Sequence, residues 1–370
     1  MSRSKLCLAG ALLFVFSLIA WSCTSLPQPE RRISQSETYL DWGRTPPDAA
    51  ARAKHQIEGT QPFEWWYIDA HLDNGQTVVG VFLDPSFTTA KPALTLSLYE
   101  RDWSKAGFLR ELSPAEITTS PDDAGVTTPY GFLKRVDDRT YHVRWEFEGL
   151  TADLKFIEEA PGWLPGGADG VNGDNLYFFW TVHQARSRVE GTITRGGQSY
   201  HVSGQGYADH NWGKKALNEI VRSWIWGRIF AGPYTIIYAD VDYYDPAIKS
   251  RPLYLARGRE VLIGAGSPTI TQDDFAFHPG LKRYFPRSIR IEFREGPVKA
   301  DIRIRFKGLV EEVDLLSISG RNALTQWIAR TFVARPTYFR VMAEFDGTIE
   351  QDGRAESIAG DCLYEVMGFI

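Results

Sequence analysis

From Pro62 onward, apolar and polar positions alternate mostly with a period of two, in short runs broken by glycine, proline and aspartate. The first run, Phe63-Glu64-Trp65-Trp66-Tyr67-Ile68-Asp69-Ala70-His71-Leu72, reads as a strand; Asp73-Asn74-Gly75 supplies a turn, and Thr77 to Leu83 returns. Trp65, Tyr67, Asp69 and His71 then share one face, and Glu64, Trp66, Ile68 and Ala70 the other. Further strands are predicted over 94–99, 141–147, 151–157, 176–183, 187–194 and 200–207. In the second half they fall at 252–257, 287–293, 299–306, 338–345 and 356–366. One segment, 322–332, has helical spacing, with Leu324, Trp327, Ile328 and Thr331 on one side, and predicts a helix packed on the sheets or lying on a membrane face. The whole is an all-β chain with few short helices, in antiparallel sandwich or barrel form.

A hairpin stands out at the centre. Its strands run over 222–230 and 234–244 around Ala231-Gly232-Pro233. With Phe230 opposite Tyr234, Trp226 would face Tyr238 and Trp224 would face Asp240, because opposed residues of an antiparallel pair point the same way. Asp240 would then be a carboxyl walled by rings, where lost hydration favours its protonated form and makes it a candidate proton donor. The alternative is structural: Tyr238 and Asp240 as a hydrogen-bonded pair, Trp224 and Trp226 as core.

Composition narrows the classes. With 43% hydrophobic and 13% aromatic residues, the chain can bury a large core or two. Arg3 and Lys5 precede an uncharged apolar run, 6–20, which has the plan of a secretory signal and is too short to span a bilayer. Ala20-Trp21-Ser22-Cys23 resembles a bacterial lipoprotein cleavage box, giving a signal over 1–22, lipidation at Cys23 and a proline-broken tether over 23–59. Losing Arg3 and Lys5 takes the formal charge from −5 to −7, which offers no basic footprint for nucleic acid. Of three cysteines, Cys7 leaves with the signal and Cys23 carries lipid, so Cys362 has no disulfide partner.

No Gly-x-Ser-x-Gly elbow, His-Glu-x-x-His, phosphate-cradling loop or Cys-x-x-Cys is present. The histidines, among them His183, His201 and His210, show no close pair at metal-ligand spacing, and no metal site is predicted.

Glu64-Trp65-Trp66-Tyr67-x-Asp69, Gly206-Tyr207-x-Asp209-His210-x-Trp212-Gly213, the following Trp-x-Trp and Tyr-x-Asp hairpin, and Gly360-x-x-x-Tyr364-Glu365 resemble the carotenoid 1,2-hydratase (hydroxyneurosporene synthase) and AttH-like family. The resemblance implies two lipocalin-like β-barrels, here over 60–213 and 214–370, with a reaction pocket at or near their junction. It implies cofactor-independent hydration of an isoprenoid double bond by a His-x-Trp pair, His210 and Trp212, and a Tyr-x-Asp pair, Tyr238 and Asp240. Asp240 would protonate the alkene, Trp212 and Tyr238 would stabilise the cation, and His210 would handle the water. Trp224, Trp226, Trp65, Tyr67 and Tyr207 would form the substrate wall.

The expectation is a cell-envelope lipoprotein, facing the periplasm or envelope, that binds an isoprenoid or other apolar substrate and hydrates or isomerises it. The alternatives are a non-catalytic lipid carrier working with envelope transporter components, and a secreted hydrolase, for which no nucleophile motif is visible. If Cys23 is acylated, Cys23→Ser moves the protein from the membrane pellet to the soluble fraction on ultracentrifugation; unchanged partition overturns the anchor.

Overall fold

The alternating runs become sheet. The computed structural model describes residues 46–86, 89–165, 178–244, 249–266, 268–315 and 336–369. The apolar segment at 6–20, Cys23 and the predicted helix at 322–332 lie outside these residues. Among the described residues, two short α-helices, α1 (Ala49–Arg52) and α2 (Leu217–Ile220), and one 3-10 turn at Pro114–Glu116 accompany the strands.

The first sheet comprises β1 (Phe63–Leu72), β2 (Thr77–Leu83), β3 (Ala93–Tyr99), β4 (Lys105–Glu111), β5 (Thr118–Thr119), β6 (Gly125–Thr128), β7 (Gly131–Arg135), β8 (Thr140–Phe147), β9 (Leu150–Ala160), β10 (Phe178–Arg195) and β11 (Gln198–Gly213). The second comprises β12 (Val221–Ala231), β13 (Tyr234–Tyr243), β14 (Lys249–Ser250), β15 (Leu253–Arg257), β16 (Glu260–Gly266), β17 (Thr269–His278), β18 (Arg283–Glu295), β19 (Val298–Asp314), β20 (Thr337–Gln351) and β21 (Arg354–Gly368). Every pairing is antiparallel between strands close in sequence, except that each sheet joins its first strand to its last, β1 to β11 and β12 to β21. The edges are again sequence neighbours, β4 and β5 in one sheet, β16 and β17 in the other. The same wiring occurs twice without a sequence repeat, as two curled antiparallel sheets.

Each sheet wraps its own core. Trp66, Ile68 and Ala70 of β1 pack with Trp145, Phe156 and Val189 in the first. Ile225, Ile229 and Tyr238 pack with Ile302, Phe339 and Tyr364 in the second. A third cluster joins the two: Trp163, Trp180 and Tyr207 from the first sheet meet Trp226, Ile237 and Tyr254 from the second. At about 1.5–3 kcal/mol per large buried apolar side chain, this junction is a third core in its own right.

The predicted strands over 176–183 and 187–194 are one strand, β10, whose register shifts between Val182 and Gln184 and again between Gln184 and Ser187. These bulges interrupt the alternation, which is why the sequence reads as two pieces. Strands β4 and β17 escape the pattern because they are mostly exposed and carry no steady apolar face.

The central hairpin departs from expectation by one residue. Ala231, not Phe230, lies opposite Tyr234, because the turn has two residues: Gly232 at φ +54°, then Pro233 with its ring-fixed φ, the combination a type II′ turn requires. The slip moves each partner to the other face. Trp224 now opposes Val241 and Trp226 opposes Ala239, whereas Tyr238 opposes Gly227 and Asp240 opposes Ile225. Tyr238 and Asp240 therefore turn towards the second sheet's core, away from the indoles.

Tyr238 is fully buried and lies flat over Gly227, where an added Cβ would collide with its ring and hydroxyl. Gly227→Ala is expected to cost about 1–3 kcal/mol by overpacking, read as a lowered urea midpoint with unchanged slope; an unchanged midpoint contradicts this contact.

Candidate active site at the junction of the two sheets

Alternation on β1 and β11 divides the two motifs between two places. Tyr67 pairs with Asp209 and Trp65 with Asn211, so these four share the face that looks at the second sheet. Trp66 pairs with His210 and Glu64 with Trp212, so these share the face of the first core. Across the junction, Trp226 of β12 pairs with Glu365 of β21, placing that carboxylate on the same face as Trp224 and Trp226.

Between these faces lies a cavity of about 100 Å³, walled mainly by Trp65, Tyr67, Trp180, Trp224 and Trp226, with Asp209 and Glu365 as its carboxylates. Pockets that enclose whole drug-sized ligands run to about 300–1,000 Å³. This one takes the end of a molecule rather than its full length.

Asp209 is 7% exposed and accepts from Trp180 Nε1 (3.1 Å), Tyr207 hydroxyl (2.8 Å) and Asn211 Nδ2 (2.8 Å). Burial raises its pKa, and the nearby carboxylates Glu365 and Asp69 add to the effect; together they outweigh the donors and carry it to about 7. Near neutrality it can hold a proton and release it.

Glu365 is held differently. Arg340, buried, approaches it through Nη2 (2.8 Å) and Nε (3.2 Å), and the Tyr338 hydroxyl donates to it at 2.6 Å. Arg340 also donates to the Tyr67 hydroxyl (3.2 Å), which in turn donates to Asp69 Oδ2 (2.8 Å). Asp69 is ion-paired with Arg228, so two buried guanidinium groups of the second sheet grip acidic and phenolic groups along the junction. Removing one partner of such a pair typically costs about 3–5 kcal/mol, which fixes the alignment of the two faces.

The residues expected to act together are distributed as follows. Trp65, Tyr67, Trp224 and Trp226 line the cavity. Tyr207 acts on it through Asp209. Asp240 does not meet the indoles: it bonds Arg251 Nε (2.8 Å) and Gln272 Nε2 (2.9 Å) at the end of the second core. Tyr238 lies beside it on the inner face of that core, by the one-residue slip already described. His210 and Trp212 face the first core, because they alternate with Asp209 and Asn211. The sequence reading missed Asp209, Glu365, Asn211, Trp180, Arg228 and Arg340. Asp209 was within reach, since it sits in the same motif as His210 and shares a strand face with Tyr207.

His210 instead builds a clamp. Its Nε2 donates to Glu64 Oε1 (2.8 Å), to which His55 Nδ1 also comes (3.0 Å), and Trp212 stacks on His55 with centroids 3.7 Å apart. His55, Glu64 and His210 converge within 4.8 Å, a spacing compatible with a divalent cation. However, Lys54 Nζ lies 2.7 Å from Glu64 Oε2 and already neutralises that carboxylate, so the donor set reads as a hydrogen-bonded clamp on the 46–61 segment.

Burial would raise the Glu64 pKa, but hydrogen bonds from His210 and His55 and the Lys54 charge prevail and lower it to about 2. Burial lowers His210 to about 4 against the pull of Glu64. Both folded values lie below the unfolded ones, so both contributions are present at pH 7 and are lost on acidification. That of His210 fades from about 6.5 to 4, and that of Glu64 from about 4.5 to 2. Glu64→Gln is expected to cost about 1–3 kcal/mol at pH 7 and progressively less below pH 4.5, measured by urea unfolding; a gap independent of pH contradicts the clamp.

Residues 171–263 match the family model of the carotenoid hydratase CrtC. The quinolone epoxide rearrangement protein penF of Penicillium thymicola is 30% identical over 97 residues, 25% of this chain and 26% of that protein, so the match spans about a quarter of the relative's length. Among solved structures, a putative AttH from Nitrosomonas europaea superposes with a TM-score of 0.58 at 16% identity, over 88% of this chain and 100% of that one. CghA in complex with Sch210972 gives 0.61 at 12%, over 89% and 97%. Kievitone hydratase from Nectria haematococca gives 0.55 at 13%, over 89% and 98%. The chain is thus similar to the carotenoid hydratase CrtC family model over 171–263, and its fold is that of the solved AttH structure.

Proposed function

We propose that the junction cavity is the active site of a cofactor-independent hydratase or isomerase acting on a C=C bond of an apolar, isoprenoid-like substrate. The observation that carries this is Asp209: a buried carboxyl on an aromatic wall, with a proton affinity near neutrality. Its proton passes to the alkene, the π bond breaks, and a tertiary cation forms on the adjacent carbon. The faces of Trp65, Trp224 and Trp226 then stabilise that cation, each at about 0.5–2 kcal/mol. Water adding to the cation gives the alcohol; loss of a neighbouring proton gives the isomer. The names of the relatives, a hydratase family and an epoxide rearrangement protein, support cation or proton-transfer chemistry of this kind.

The cavity size supports end-on binding, with the terminal double bond inside and the remaining chain outside. An acyl anchor on Cys23 would hold the protein beside a membrane that stores such substrates, and this is the role proposed for the lipoprotein segment.

Asp209→Asn keeps the volume but removes the transferable proton, and turnover of an acyclic isoprenoid is expected to fall by about 10²-fold or more. In the wild type the donor must be protonated, so the rate declines as the pH rises through about 7. Full activity in Asp209→Asn, or a rate that rises through pH 8, rejects Asp209 as the acid.

A further inference from the structure

Two carboxylates reach the cavity, one from each sheet: Asp209 from β11 and Glu365 from β21. Their surroundings differ in kind. The partners of Asp209 are neutral: an indole, a phenol and an amide. Glu365 is the anion of a buried ion pair with Arg340 and also accepts from Tyr338. Two carboxyl groups in one site, one set up to carry a proton and the other tied to a guanidinium, divide naturally into acid and base. The acid role needs only Asp209, which leaves Glu365 without a part in the protonation step.

We propose that Glu365 is the general base of the reaction, taking the proton that the second half-reaction must release. This rests on reading the cavity as a site of alkene protonation by Asp209. In hydration, a water oxygen bonds to the cationic carbon while one of its protons passes to the Glu365 carboxylate. In isomerisation, Glu365 takes a proton from a carbon next to the cation and the C–H electrons become the new π bond. Either way Asp209 ends ionised and Glu365 protonated, and exchange with solvent restores both. Arg340 is a positioning residue: it fixes Glu365 through two nitrogens and ties it to Tyr67 on the opposite wall. Acid and base thus come from different sheets, Asp209 from β11 and Glu365 from β21.

The test separates the two half-reactions by incubating geranylgeraniol in detergent with the full-length protein in D₂O. The readouts are product formed and deuterium in the recovered alkene. Protonation followed by reversal to Asp209 leaves deuterium in the substrate without needing Glu365. Glu365→Gln is expected to lower product by about 10²-fold or more while keeping the exchange. Asp209→Asn should lose both, and Glu365→Asp should recover part of the product. Because Glu365→Gln leaves the Arg340 charge buried and unpaired, the double variant Arg340→Met/Glu365→Gln is run alongside it, with the same outcome expected. Product at the wild-type rate in a folded Glu365→Gln overturns Glu365 as the base and leaves Asp209 standing. Loss of exchange together with product in both folded variants also overturns it, since Glu365 would then act before or during protonation. A wild type that gives neither product nor exchange overturns the proposed function, and this assignment with it.

Discussion

The constraint on which the site depends is that β1 and β11 are buried on both faces. One face is committed to the first core through Trp66, Ile68 and Ala208, and the other looks onto the second sheet through Trp65, Tyr67 and Asp209. Strand period leaves no third option, so a one-residue slip between β1 and β11 would drive either Asp209 into the first core or Trp66 into the cavity. The buried Arg228–Asp69 pair acts on the same constraint from the second sheet, and the Arg340–Glu365 pair, within that sheet, reaches across through the bond from Arg340 to the Tyr67 hydroxyl. Such pairs add little net stability against an apolar equivalent, but each half is costly without its partner. They therefore act chiefly as alignment devices, and what they align is the carboxylate on each wall.

Much of the architecture was legible because it follows from alternation. Strand content, the two faces of β1 and the aromatic character of the cavity all come from side chains whose direction is set by position along a strand. The face of Asp240 was misread for an equally local reason. The turn at Gly232-Pro233 accommodates either two or three residues on composition alone, and that one residue decides whether Asp240 or Val241 faces Trp224. The motif around His210 was ambiguous for a different reason. His210-x-Trp212 and Asp209-x-Asn211 interleave on one strand, so the sequence shows that something is being presented without showing to which side. Glu365 stands in a motif the sequence shows, but its place at the cavity, and Arg340 altogether, could not be found from sequence, because their meaning comes from β12, β20 and β21 lying side by side while far apart in the chain.

The chemistry follows from the contrast between the walls. In water an isolated alkene is protonated too slowly to matter at neutral pH, and the cation is captured at once by whatever nucleophile is nearest. On the proposed function the cavity would change both conditions: indole faces would replace hydration around the developing positive charge, and burial would keep the proton on Asp209 until a carbon base is presented to it. Once the cation exists, the outcome turns on what stands beside Glu365. A water molecule held there gives an alcohol, and a substrate C–H held there gives a shifted double bond. On that reading the same two carboxylates would serve hydration and rearrangement on one fold, with the shape of the substrate's end, rather than a change of catalytic group, selecting between them.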